Sequence, residues 1–124
     1  MRAAAGYIYI GMTILLTVYG QLVVKWQVSL AEAARGSHGE MMIFLLRLVI
    51  NPWVLSGFAA AFLASVFWMA ALTKFQLSYA YPFVALTFVF VVSAGGLLFG
   101  EPITLTKIAG LALIIAGVTL ASQG

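Results

Sequence analysis

The chain has 124 residues, of which 65% are hydrophobic and 7% charged, with a net charge of +3. A soluble globular domain carries about 25% charged residues, so too few charges exist here to solvate a globule surface, and the chain is expected to be integral to a membrane. No run of basic residues could follow a phosphate backbone, so no nucleic-acid partner is expected, and the lack of cysteine excludes disulfides and Cys-ligated metals.

A bilayer crossing needs about 20 mostly apolar residues. The first such stretch is residues 7–26, with Tyr7, Tyr9 and Trp26 near its ends, where aromatic rings favour the headgroup region. Arg2 before an apolar run and the small-x-small sequence Ala31-Glu32-Ala33 resemble a secretory leader. The apolar run is about twice the usual leader core of 7–15 residues, so a retained first span is expected. Residues 27–40 hold Glu32, Arg35, His38 and Glu40 and are expected outside the hydrocarbon. His38 has no ligand partners at close spacing, so it reads as a loop residue, and neither a metal nor any cofactor is expected.

Residues 41–50 are apolar but too short to cross and contain Arg47. They read as a short helix along the interface, or a lead-in to the second span, with Arg47 snorkelling to the headgroups. Asn51 followed by Pro52 has the form of a helix N-cap with proline at the first helical position. A second span is expected at 52–72, a third at 77–99 with Pro82 near its start, and a fourth at 103–121 after Gly100-Glu101-Pro102. The fold class expected is therefore an all-α membrane protein. Residues 1–124 form one domain with four transmembrane helices in an antiparallel bundle, because the later connections are very short. Small residues at Gly57, Ala61 and Ser65, and at Gly117 and Ala121, suit close helix approach in lipid. On the fourth span the pair serves either intramolecular packing or a dimer seam. Lysine and arginine are too evenly divided between the two sides to assign an orientation, which leaves dual insertion open.

The informative polar residues lie on the first span. Thr13, Thr17, Gln21 and Lys25 recur every fourth position, which places them near one face of a helix. Lys25 is either an interfacial lysine with a snorkelling stem or the cationic end of a row facing a wet cavity that holds an anionic group. Thr17 alone suits helix packing, whereas the Gln21 amide must find partners in a membrane. Glu32, Glu40 and Glu101 are the three acids, and none falls in a span centre. Proton-coupled cation exporters need an acid there. Glu101 could pair with a lysine, cap the fourth span or touch a headgroup. Pro82, flanked by Tyr79 and Tyr81, frees a backbone carbonyl one turn earlier, and bent helices commonly line transporter sites. No nucleophile–base pair, carboxylate pair or phosphate-cradling glycine loop supports catalysis, so an enzyme is not expected.

These residues also carry a resemblance. Gly20-Gln21 with Lys25, Ala80-Tyr81-Pro82 with Leu86 and Phe88-Val89, and Glu101-Pro102 resemble the drug/metabolite transporter superfamily, EamA-like and similar to small multidrug resistance proteins. The third and fourth spans are most similar to the four-span subunits that flip aminoarabinose-phosphoundecaprenol across the bacterial inner membrane. The essential first-span glutamate of the small multidrug resistance exporters would fall at Thr17, and this departure suits an anionic cargo. The resemblance implies a polyprenyl-phosphate-linked sugar as substrate and a homodimer or a heterodimer with a sibling subunit. Lys25, with Gln21 and Arg47 assisting, would hold the phosphate. The sugar would cross a cavity lined by Thr13, Thr17 and the Tyr81-Pro82 bend, with Glu101 at its edge. Rival classes are an exporter of small organic cations that borrows a partner's acid, and a non-transporting scaffold subunit of a glycolipid-modification complex.

Overall fold

The computed structural model describes residues 2–35 and 40–124, so His38 lies outside the described residues. The described residues are helical throughout, in the order α1 Arg2–Arg35, α2 Met41–Val49, α3 Pro52–Leu72, α4 Leu77–Val84, α5 Leu86–Phe99 and α6 Leu105–Ala121. Three helical stretches among them are long and apolar enough to cross a membrane: Ala4–Glu32, Pro52–Leu72 and Leu77–Phe99, the last comprising α4 and α5. The 17-residue α6 is apolar but shorter.

The longest helix differs from expectation. α1 runs for 34 residues and does not stop near Trp26. Residues 27–35 carry polar side chains, but alanine, leucine, glutamate and arginine are strong helix formers, and no glycine or proline intervenes. Gln27 is buried, and its Oε1 accepts a 3.2 Å hydrogen bond from Asn51 Nδ2. Asn51 is thereby shared: its Oδ1 caps α3 by accepting from the backbone N–H groups of Trp53 at 2.8 Å and Val54 at 3.4 Å, with Pro52 at the first helical position. The short α2 lies against this corner, with Phe44 and Leu48 buried beside Val54, Val24, Val28 and Ala31.

α1 and α3 form the most extensive contact and run antiparallel. Gln27 meets Asn51, Gly20 meets Gly57, Thr13 meets Ala64, and Gly6 meets Phe75. The crossing is closest at the glycines, where a Cβ built on Gly20 would sit 3.1 Å from the Gly57 carbonyl oxygen and one on Gly57 3.3 Å from that of Gly20. The buried small face of α3 is Gly57, Ala60, Ala64 and Ala71. It is offset by one residue from the expected Gly57, Ala61 and Ser65, whose last two members are exposed.

α4 and α5 return parallel to α1. Tyr7, Phe75, Tyr79 and Phe83 form an aromatic cluster at one end, in which the Tyr7 and Tyr79 hydroxyls are hydrogen-bonded. The helix is interrupted at Ala85, three residues after Pro82, where Ala85 N donates to Pro82 O and Phe88 N to Ala85 O, each at 3.0 Å. These i→i+3 bonds tighten the turns that follow Pro82, whose missing N–H bears on the turn before it. α5 ends at Gly100, which takes the left-handed conformation (φ 65°), and Glu101 N reaches back to Gly95 O at 3.4 Å. α6 then packs on α4 and α5 alone. Thr104 caps it by accepting from Lys107 N at 3.2 Å. Glu101 and Pro102 therefore precede α6 and do not cap it. Gly117 and Ala121 are exposed, and among the described residues nothing lies within 4 Å of a Cβ built on Gly117.

Candidate functional site

The row Thr13, Thr17, Gln21 and Lys25 does not stay on one face. Each residue of an α-helix turns about 100°, so a step of four overshoots one turn by roughly 40°, and Lys25 lies about 120° around the helix from Thr13. Thr13 consequently faces α3, where it is buried and its Oγ1 donates to Tyr9 O at 2.8 Å and Ala64 O at 3.4 Å. Thr17 is half-buried. Gln21 is exposed and makes no hydrogen bond among the described residues. Lys25 has turned toward the α5–α6 connection, where its Nζ lies 3.8 Å from Glu101 Oε2.

Two clefts result. The first, of about 210 Å³, opens between α1, α3 and α4 and includes Thr13, Thr17, Ser65, Trp68 and Tyr81 in its lining. Thr13 and Thr17 of α1 and Tyr81 of α4, all expected in one cavity, thus meet there, with Trp68 set edge-on to Tyr81 at 6.0 Å. Pro82 is half-buried next to Tyr81, and no carboxylate lines this cleft. The second, of about 340 Å³, lies between α1 and the end of α5 and is mostly apolar. Its polar edge is Tyr19, whose hydroxyl is 2.9 Å from Ser56 Oγ.

Of the site residues read from the sequence, Lys25 and Glu101 come together. Both are about half exposed, with 49% and 48% of their side chains accessible. An exposed pair of this kind contributes about 0–1 kcal/mol, so Lys25 can exchange Glu101 for another anion at little cost. The Glu101 side chain also folds over Gly95, which has no Cβ to obstruct it. Arg47 is not brought to this place; it sits exposed on α2, beside the buried Phe44 and Leu48. Sequence reading missed Gln27, assigned to a loop, and Tyr19, Ser65 and Trp68, which border the clefts. The available signal was a polar atom inside an apolar run, the same signal that marked Gln21.

The chain matches the EamA-like transporter family over residues 3–123. It is 36% identical over 125 residues to the probable 4-amino-4-deoxy-L-arabinose-phosphoundecaprenol flippase subunit ArnF of Photorhabdus laumondii, covering 95% of this chain and 97% of that protein. The probable subunit ArnE of the same flippase is 39% identical over 70 residues in Pseudomonas aeruginosa, and 37% in Pseudomonas paraeruginosa. Each of those matches covers 56% of this chain and 61% of the relative. No solved structure matches.

Proposed function

The chain belongs to the EamA-like transporter family, which makes it a multi-pass membrane protein and a transporter, not an enzyme, and from that premise we propose that it is a subunit of a flippase for a polyprenyl-phosphate-linked sugar in the bacterial inner membrane. The cargo resembles aminoarabinose-phosphoundecaprenol, the lipid in the relatives' names. The relatives carry two subunit names, ArnE and ArnF, which supports pairing with a sibling subunit or a second copy. α6 is the fourth span, α2 lies at the interface with Arg47 among the headgroups, and the four spans form an antiparallel bundle completed by the partner.

The observation that carries this reading is the position of Lys25. Its ammonium stands at the junction of α1 and the α5–α6 connection, held only by a half-exposed carboxylate. A phosphate arriving there gains a charge-assisted hydrogen bond from the ammonium. Gln21, one turn before Lys25 and without an internal partner among the described residues, supplies a second donor. The sugar passes the cleft lined by Thr13, Thr17, Ser65 and Tyr81, whose hydroxyls can replace water on a polar headgroup. The Pro82–Ala85 interruption lets helix pairs rock and expose the site to each side in turn. No carboxylate among the described residues lines that cleft, and proton-coupled cation export needs one.

The test is flipping of a short-chain polyprenyl-phosphate sugar in vesicles that hold the protein and its sibling subunit. Lys25→Ala should abolish flipping while the protein still inserts. Full activity in that variant would overturn the phosphate assignment.

A further inference from the structure

We propose that the apolar cleft between α1 and α5 seats the part of the isoprenoid chain next to the phosphate, so that headgroup and tail are gripped by the same two elements. This rests on the reading of Lys25 as the phosphate partner. The cleft, of about 340 Å³, is lined by Tyr19, Leu22, Val23, Trp26, Leu98 and Phe99. Its two walls lead directly to the ion pair. Leu22, Lys25 and Trp26 share one side of α1 at i, i+3 and i+4 spacing, and Glu101 follows two residues after Phe99. The Lys25–Glu101 pair therefore stands beside the Trp26 and Phe99 edge of the cleft.

Charge complementarity selects the occupant. An apolar slot with a cation beside its edge fits an amphiphile with an anion at the head of its chain. The cleft walls include exposed side chains, with Leu98 at 66%, so a chain can enter sideways from lipid without desolvating a polar group. A lipid chain gains no hydrophobic energy by leaving lipid for protein. Selection therefore comes from packing against a shaped surface, and a methyl-branched prenyl chain is distinguished from a straight acyl chain by fit. Tyr19 supplies the aromatic wall, fixed by its bond to Ser56 of α3.

The test uses farnesyl phosphate carrying a photoactivatable diazirine, added to phosphatidylethanolamine vesicles containing the full chain, with labelled residues mapped by mass spectrometry. Labelling should concentrate on Leu22, Val23, Leu98 and Phe99, and unlabelled undecaprenyl phosphate should suppress it at concentrations where phosphatidylglycerol does not. Leu98→Trp fills the cleft from an exposed position that the fold tolerates. It should lower that labelling on the order of tenfold, because the indole takes the space in which the chain makes its packing contacts. Labelling spread evenly to Leu113 and Leu120 of α6, equal competition by phosphatidylglycerol, or no response to Leu98→Trp would each overturn the proposal. The chain has no cysteine, so a Leu98→Cys protein that forms a disulfide-linked dimer in these vesicles would put a second copy in the cleft and overturn it as well. Lys25→Ala separates the two readings. It should keep the cleft labelled but abolish the preference for farnesyl phosphate over farnesol. A preference that survives Lys25→Ala removes the phosphate assignment and leaves the chain seat standing.

Discussion

At the scale of single residues, the balance between Lys25 and Glu101 decides how the cation is presented. Their 3.8 Å separation and half exposure describe a pair that can open. Glu101→Gln removes the competing charge and should lower the half-saturating cargo concentration in the flipping assay by several-fold, since a pair of this kind contributes about 0–1 kcal/mol. An unchanged or raised value would show that Glu101 does not compete for the site. Asn51 is the second residue with more than one role. Asn51→Ala removes the α3 cap and leaves the buried Gln27 amide without its partner. The cap alone contributes about 0.5–2 kcal/mol, so the midpoint of denaturant-induced unfolding should fall clearly. Asn51→Asp retains the capping oxygen and should recover part of that loss.

At the scale of helices, hydropathy made α3 and the α4–α5 stretch legible in the sequence, because a run of apolar residues ended by Lys74 or Gly100-Glu101-Pro102 has few alternatives in lipid. Helix ends without a breaker were not legible. α1 continues past Trp26 because residues 27–35 favour helix whether or not lipid surrounds them. The polar row was visible as spacing, but its winding was not. Four-residue spacing drifts around the axis, so Thr13 became a packing hydroxyl against Ala64 while Lys25 reached Glu101. Gly57 was recognised as a small contact residue, but its partner Gly20 could be found only by setting α1 and α3 in register. That contact leaves no room for a side chain. Gly57→Leu should destabilise the fold by about 1–3 kcal/mol, seen as earlier unfolding in detergent, whereas Gly110→Leu meets open space and should leave stability unchanged. Gly100→Ala forces a Cβ into a left-handed position at φ 65° and should cost roughly 1 kcal/mol by the same measurement.

At the scale of the whole molecule, α6 is the least enclosed helix. It touches α4 and α5 alone, Val118 is its one buried residue, and Leu105, Leu113 and Leu120 are each more than 70% exposed. An apolar helix with so little packing within its own chain suits a partner across it. Leu113→Cys should form a disulfide-linked dimer in vesicles, with itself or with the same change in the sibling subunit. Leu15→Cys on α1, also exposed, should not. The reverse pattern would move the seam to α1.

The unequal helix lengths have a bearing on the surrounding lipid. At 1.5 Å per residue, α1 is about 51 Å long and α6 about 26 Å, against a hydrocarbon core of about 30 Å. With both inserted, the greasy belt slopes, and the membrane beside α6 must pinch inward to meet it. Turnover should therefore slow as the vesicle acyl chains are lengthened.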